Sequence, residues 1–219
     1  VTLSVKNLKG LITDSEKKHL HMVGIFDGTL DLLSALRPGF AVVDGTVAQD
    51  GLGPVFGRRV FMNLVIAGRD LVAVDAVGGA VMGIEPDENL MVKRAGERGL
   101  GVADLRHIEV RGEPVERVRR RFRRVMEDPR VKLRGVTLLQ SPEMCTGCQT
   151  CVFSSIFDMQ RAGQRRLIQG ITIVSGGDVD IARDVPAERI VSVGGCVPKA
   201  KRGRHFVRGC PPNNSDIVN

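Results

Sequence analysis

The spacing of apolar positions changes several times along this chain, and each spacing predicts a different element. Val1-Thr-Leu-Ser-Val5 alternates apolar and polar residues, the period of a half-buried strand. Between Phe26 and Leu36 the apolar positions are 26, 30, 32, 33 and 36, and Pro38-Gly39 follows, which predicts a helix with a stop signal. Phe40-Ala-Val-Val-Asp44-Gly45 reads as a buried strand ending in an acid. A long loop with Gly45, Gly51, Gly53 and Gly57 comes next, before a strand over 60–66. Asp70 is placed to cap a helix over 71–82, whose interior Asp75 needs a partner in apolar surroundings. Gly83 ends that helix. A second over 86–95 is led by Asp87 and Glu88, trailed by Lys93 and Arg94, and stopped at Gly96. Ile108-Glu-Val-Arg-Gly112 completes this part as a strand.

The stretch 115–126 carries Arg117, Arg119, Arg120, Arg121, Arg123 and Arg124. Val115, Val118, Phe122 and Val125 recur among them at spacings of three and four, which predicts an amphipathic helix with a basic outer face. A solvated face docking an acidic partner ranks ahead of nucleic-acid recognition. Glu-Asp-Pro-Arg at 127–130 ends the helix and marks a domain boundary. Beyond it the pattern predicts strands over 136–139, 171–174 and 190–193, with a helix after the first that runs to about Gln160. The expected architecture is α/β. Residues 1–130 form a domain with a mixed or mostly parallel sheet and flanking helices, and residues 135–219 form a small α/β cysteine-rich module.

Composition narrows the function classes. A formal charge of +7 and a pI near 9.5 favour acidic partners. Trp and Tyr are both absent, which weakens any reading that needs stacking on single-stranded nucleic acid. No apolar run reaches the ~20 residues of a membrane span; the closest, 71–84, is interrupted by Asp75. No signal peptide is visible, so a cytoplasmic location is expected. The start at Val1, directly in a strand-like alternation, reads as a fragment of a longer protein or a processed product. His19 and His21 lack a third ligand nearby and read as solvated. Asp44, Asp50 and the glycine-rich loop are candidates for a second site, though no phosphate-binding motif accompanies them and a structural loop ranks first. No complete catalytic constellation is visible.

The cysteines carry the strongest chemical signal. Cys145, Cys148 and Cys151 fall in Met-Cys-Thr-Gly-Cys-Gln-Thr-Cys-Val at 144–152. The other two each follow a glycine, in Gly195-Cys196-Val197-Pro198 and Gly209-Cys210-Pro211-Pro212. A C-x-x-C turn sets two thiolates on one side of the backbone, with Gly147 permitting the turn. Cys196 and Cys210 each end a short β-like run, so two adjacent strand ends could present them together, facing that turn. A four-thiolate iron–sulfur cluster suits this cysteine-only set. A structural zinc is the alternative, although zinc ribbons commonly pair two C-x-x-C motifs. Disulfides rank last for an odd number of cysteines in a chain of this length. Cys151 opens a run in which Val152, Ile156 and Met159 repeat at helical spacing, so it suits a core position. The expected ligands are Cys145, Cys148, Cys196 and Cys210, with Cys151 in reserve. Lys199, Lys201, Arg202, Arg204 and Arg208 lie between the two distal cysteines and form a cationic loop over the site.

Taken together, the chain resembles an uncharacterised family, domain-of-unknown-function family 362. The resemblance is carried by Val1-Thr-Leu-Ser-Val-Lys-Asn-Leu-Lys-Gly-Leu-Ile, by Ala41-Val-Val-Asp-Gly, and by Ala67-Gly-Arg-Asp-Leu-Val-Ala-Val-Asp-Ala with Met82-Gly83, and it covers nearly the whole chain. Members usually have more chain before the first of these segments. Many carry iron–sulfur modules, so the resemblance implies a redox or electron-carrying role without naming a reaction. The tail is similar to that of members in which the position of Cys151 is not cysteine. The ferredoxin-type run of four close cysteines is absent here.

The expected function is therefore that of an iron–sulfur protein with one cluster, [4Fe–4S], serving electron transfer or acting as an oxidoreductase or redox accessory with an acidic protein partner. The alternative is a zinc-stabilised binding module whose basic face holds nucleic acid or an acidic protein.

Overall fold

The computed structural model describes all residues except Pro142, Glu143, Cys145, Asp178 and Asn219, and for Lys18, His21, Met22 and Val23 it describes the backbone alone. The described helices are α1 (Ser4–Asn7), α2 (Asp14–Val23), α3 (Ile25–Leu36), α4 (Leu71–Val81), α5 (Leu90–Glu97), α6 (Val115–Val118), α7 (Thr146–Arg161) and α8 (Asn214–Val218). The strands are β1 (Ala41–Asp50), β2 (Arg58–Gly68), β3 (Val136–Gln140), β4 (Ile171–Ser175), β5 (Ile190–Val193) and β6 (His205–Val207). The fold is mixed α/β, with one antiparallel strand pair and one four-stranded parallel sheet. The chain divides into two units, Val1–Lys18 with Phe26–Asp50 and Arg58–Arg123, and His19–Ile25 with Gly51–Gly57 and Arg124–Asn219.

The first unit is built on α4. Leu71, Val72, Val74, Ala76, Val77, Ala80 and Val81 are all buried, so this helix is apolar on every side and sits inside the unit. Asp70 caps it as expected, its Oδ1 accepting from the N–H groups of Val72 and Ala73 at 2.8 and 3.0 Å. Asp75 has the partners its burial requires. Its Oδ1 accepts from the Ser4 N–H at 2.7 Å and the Ser4 hydroxyl at 2.5 Å, and its Oδ2 accepts from the Val5 N–H at 3.2 Å. These bonds explain why Val1-Thr-Leu-Ser-Val5 is not a strand. The Asp75 carboxylate takes the first N–H groups of α1, as an N-cap side chain does, and a helical turn begins at Ser4.

β1 and β2 form a hairpin in register from Ala41↔Gly68 to Asp50↔Arg58, with a bulge between Gly45 and Val47. The loop expected from Gly45 onward is thus mostly strand, and only 51–57 connects the two. Met62, Leu64 and Ile66 pack with Val77 and Val81 of α4. The alternate positions Phe61 and Val65 are exposed, as is Val42 (62%), so this strand pair is not the buried sheet the apolar run suggested. The residues 108–112 form no strand.

The arginine-rich stretch departs furthest from expectation. Only the single turn α6 is α-helical; 119–124 is extended, and a 3-10 turn follows at Val125–Glu127. The N–H groups of Arg120 and Phe122 donate to the carbonyls of Val81 and Met82 at 2.8 and 3.0 Å. Those carbonyls end α4 and have no intrahelical donor, so they draw the later segment into an extended strap and bury Phe122. Arg117 pairs with Glu113, Arg119 pairs with Glu85, and Arg120 donates to the Phe61 carbonyl. The basic helical face therefore does not exist.

Asp50 closes the hairpin of this unit. Its buried carboxylate accepts from Arg58 Nη2 at 2.8 Å, Arg58 Nε at 3.2 Å and the Arg123 N–H at 3.0 Å. Burial pushes its carboxyl pKa up, but the bonds from Arg58 and Arg123 and the two positive charges together hold it below the usual value. Its stabilisation is thus present above pH 3.8 and lost as the pH falls through the lower folded value. Asp50→Ala is expected to cost about 2 kcal/mol at neutral pH, because the half-buried Arg123 N–H and the Arg58 guanidinium lose their acceptor. The cost should shrink in acid. Urea unfolding at pH 7 and pH 3 measures both.

The second unit centres on the sheet β3-β4-β5-β6, in which every neighbouring pair is parallel. α7 makes the crossover from β3 to β4. Its Val152, Phe153 and Ile156 pack with Ile173 of β4 and Val193 of β5, all less than a tenth exposed. Because the strands are parallel, all their carboxyl ends lie along one edge of the sheet. In open parallel sheets that edge is where ligands bind.

Candidate metal centre

The cysteine-bearing segments follow the strand ends of this second unit. Past β5 and β6 the ladder continues: the Gly194 N–H donates to the Val207 carbonyl at 3.0 Å, and the Gly195 N–H donates to the Gly209 carbonyl at 2.7 Å. The two Gly-Cys pairs therefore lie side by side on adjacent strands, and Cys196 and Cys210 each follow one of the two bonded glycines. The Ile25 N–H donates to the Cys210 carbonyl at 3.1 Å and ties the second loop down.

Cys148 reaches the same place from α7. Its sulfur lies where a side chain on Gly194 would project, 2.9 Å from the position of a Cβ there. Gly194 also has φ +98, a conformation that disfavours other residues. Both constraints make Gly194 part of the site, and the sequence reading missed it. The signal available was the doubled glycine before Cys196. Gly194→Ala is expected to destabilise the second unit by about 2 kcal/mol through backbone strain and crowding of the thiol. A chemical denaturation curve of the variant reads this directly, and an unchanged midpoint would show that the contact is loose.

α7 begins at Thr146, earlier than expected, so Cys148 and Cys151 stand one turn apart on a helix rather than in an open turn. The apolar spacing, followed back from Met159 through Ile156 and Val152, reaches Cys148 at the same period and would have found this start. Gly147 serves close packing instead of a tight turn: a Cβ there would lie 3.0 Å from the Pro211 ring. The Cys151 thiol donates to the carbonyl of the buried Pro212 at 2.9 Å, on the far side of Cys210 in sequence. Cys148 is buried, Cys151 and Cys210 are half-buried, and Cys196 is exposed. Cys145 lies outside the described residues. Among the described residues, no group of three or more His, Cys, Asp or Glu side chains is close enough to hold a metal ion.

The other candidates have structural roles. Asp44 is exposed and accepts from the Thr46 N–H at 2.8 Å, while Asp50 is spent on Arg58 and Arg123. They lie on an antiparallel hairpin, which offers no row of parallel strand ends of the kind that gathers a ligand. His19 is exposed on α2, and the side chain of His21 is not described.

Comparison with known proteins finds matches over part of the chain. Residues 1–80 match the family described as Domain of unknown function (DUF362). The DUF362 match takes in Ser4, Asp70 and Asp75, the residues that start α1 and cap α4. It is narrower than the resemblance drawn from the sequence, and the cysteine segments lie outside it. A curated relative, the Thylakoid-associated protein sll1697 of Synechocystis sp., is 28% identical over 92 residues, which are 39% of this chain and 29% of that protein. The chain thus spans less than a third of that relative's length. No solved structure matches the chain. No helix among the described residues is long and apolar enough to cross a membrane.

Proposed function

We propose that this protein holds one cysteine-ligated iron–sulfur cluster, [4Fe–4S], at the carboxyl edge of the four-stranded sheet, with Cys145, Cys148, Cys196 and Cys210 as ligands. The observation that carries the reading is the Gly195–Gly209 hydrogen bond, which sets the two Gly-Cys pairs on neighbouring strands beside the Cys148 sulfur. The donor chemistry fits. The candidate ligands are all thiols, the acceptable set for such a cluster, and Gly194 leaves the space beside Cys148 free of a side chain. The first turn of α7 adds N–H groups that favour anionic sulfur. Cys151 supports the same ligand set, because its thiol is already engaged with Pro212.

When bound, such a cluster accepts and releases single electrons. The chain's own residues hold it at the sheet edge and shield Cys148 from water, while Cys196 stays at the surface. The role is electron transfer or service as a redox subunit in the cytoplasm, with an acidic protein as partner. Anaerobic purification followed by iron, sulfide and zinc analysis tests the reading. About four irons and four sulfides per chain are expected for such a centre. Zinc without sulfide would overturn it in favour of a zinc-stabilised module.

A further inference from the structure

We infer that the docking surface for an acidic protein partner is the loop between Cys196 and Cys210, and not the arginine-rich stretch after Val115. The two basic segments differ in how their charge is used. In the stretch after Val115, Arg117 and Arg119 are paired with carboxylates, Arg120 is bonded to a carbonyl, and Arg121 and Arg124 also have partners. Between Cys196 and Cys210 the chain has Lys199, Lys201, Arg202, Arg204 and Arg208 and no Asp or Glu.

Within that loop the structure sorts the cations into two kinds. Arg202 lies over the Phe206 ring, 3.8 Å from its centroid, and its Nε donates to the Val197 carbonyl at 3.0 Å. Lys201 stands 3.8 Å from Asp180. Gly203 lies flat on β5, where a Cβ would collide with Ile190, and its N–H donates to the buried Ser192 hydroxyl at 3.0 Å. These contacts anchor the loop. Lys199, Arg204 and Arg208 remain exposed, with no ion pair or side-chain hydrogen bond among the described residues. The anchored loop thus presents three unneutralised cations on the segment that follows the exposed Cys196.

The chemistry favours an acidic protein over a nucleic acid. The loop has no Trp or Tyr and Arg202 covers one face of its Phe206, so stacking surface for bases is limited to the other face of that ring and the exposed His205. Three cations on an anchored loop match a carboxylate-rich surface, with steering that falls as salt rises. That the partner is an electron carrier rests on the cluster reading. The preference for acidic surface rests on charge alone.

Two measurements test this, and both can use metal-free protein. The first is the labelling rate of Cys196 by the dianionic disulfide reagent dithiobis(nitrobenzoate) and by uncharged dithiodipyridine, followed by peptide mapping. The variant Lys199→Gln/Arg204→Gln/Arg208→Gln should slow the anionic reagent about tenfold at low salt and leave the neutral one unchanged. The control Arg59→Gln/Arg111→Gln/Arg117→Gln, with the same net charge, should behave as the parent. The second is binding of poly-L-glutamate, expected to weaken about tenfold in the loop variant and little in the control. Equal losses in both variants would overturn the inference, as would tighter binding of a single-stranded oligonucleotide of equal charge that is lost in the loop variant. Loop-specific results in a protein that never holds iron would support the surface and sink the cluster reading instead.

Discussion

Cys196→Ala and Cys210→Ala are each expected to emerge from anaerobic purification without bound iron, while Cys151→Ala keeps most of it. The difference follows from where each sulfur stands. Cys196 and Cys210 follow glycines that are hydrogen-bonded across β5 and β6, so neither has a substitute on its own strand end. Cys151 sits one helical turn beyond Cys148 and already gives its proton to the Pro212 carbonyl. Binding free energy of a metal centre is folding free energy for a site that does not exist in the unfolded chain. The two ligand variants should therefore also lower the unfolding midpoint of the second unit and leave the first untouched, because the two units have separate cores. Iron and sulfide analysis with tryptic mapping of the released fragments reads both effects. Full iron retention in Cys196→Ala would remove it from the ligand set. Loss in Cys151→Ala equal to that in Cys210→Ala would make Cys151 a ligand.

The second large effect belongs to Asp75. Asp75→Ala is expected to destabilise the first unit by about 3 kcal/mol, because two buried backbone N–H groups and a hydroxyl lose their acceptor together. Asp75→Asn should cost less, since its one oxygen still serves Ser4 while its NH2 group faces the Val5 N–H. Burial raises the Asp75 carboxyl pKa, with the bonds from Ser4 and Val5 opposing it. A raised carboxyl pKa means the folded state binds the proton more tightly. The stabilisation from Asp75 is then fully present below pH 3.8 and declines as the pH rises through the folded value. The advantage of the parent over Asp75→Asn should accordingly be largest in acid and shrink towards neutrality. This is the reverse of Asp50, whose contribution fades in acid. Urea midpoints of both variants between pH 3 and pH 8 separate the two carboxylates, and a constant gap for Asp75→Asn would show that Asp75 does not titrate in this range.

Much of the helix and strand pattern was legible because it rests on local chemistry. Asp70 caps α4 as a carboxylate before an apolar run does, and the elements around 136–139, 171–174 and 190–193 are short β-branched runs with turn residues after them. The matched Gly-Cys pairs pointed to neighbouring strand ends, and β5 and β6 are neighbours. What the cysteine spacing did not show was that α7 begins before Cys148, because cysteine can be counted as ligand or as core with equal ease.

The sequence by itself determined the α/β class, the cap on α4, the burial of Asp75 and the family match over 1–80. Periodicity and capping act within a few residues, so they survive any arrangement of the rest of the chain. Only the tertiary structure decided the conformation of Val1–Val5 and of the arginine-rich stretch. In the first case the deciding acceptor is Asp75, 71 residues away from Ser4; in the second it is the pair of carbonyls at the end of α4. An unpaired buried carboxylate or helix-end carbonyl costs more than the weak preference of a short segment for strand or helix. Local pattern yields wherever such a group needs a partner that only the fold can bring.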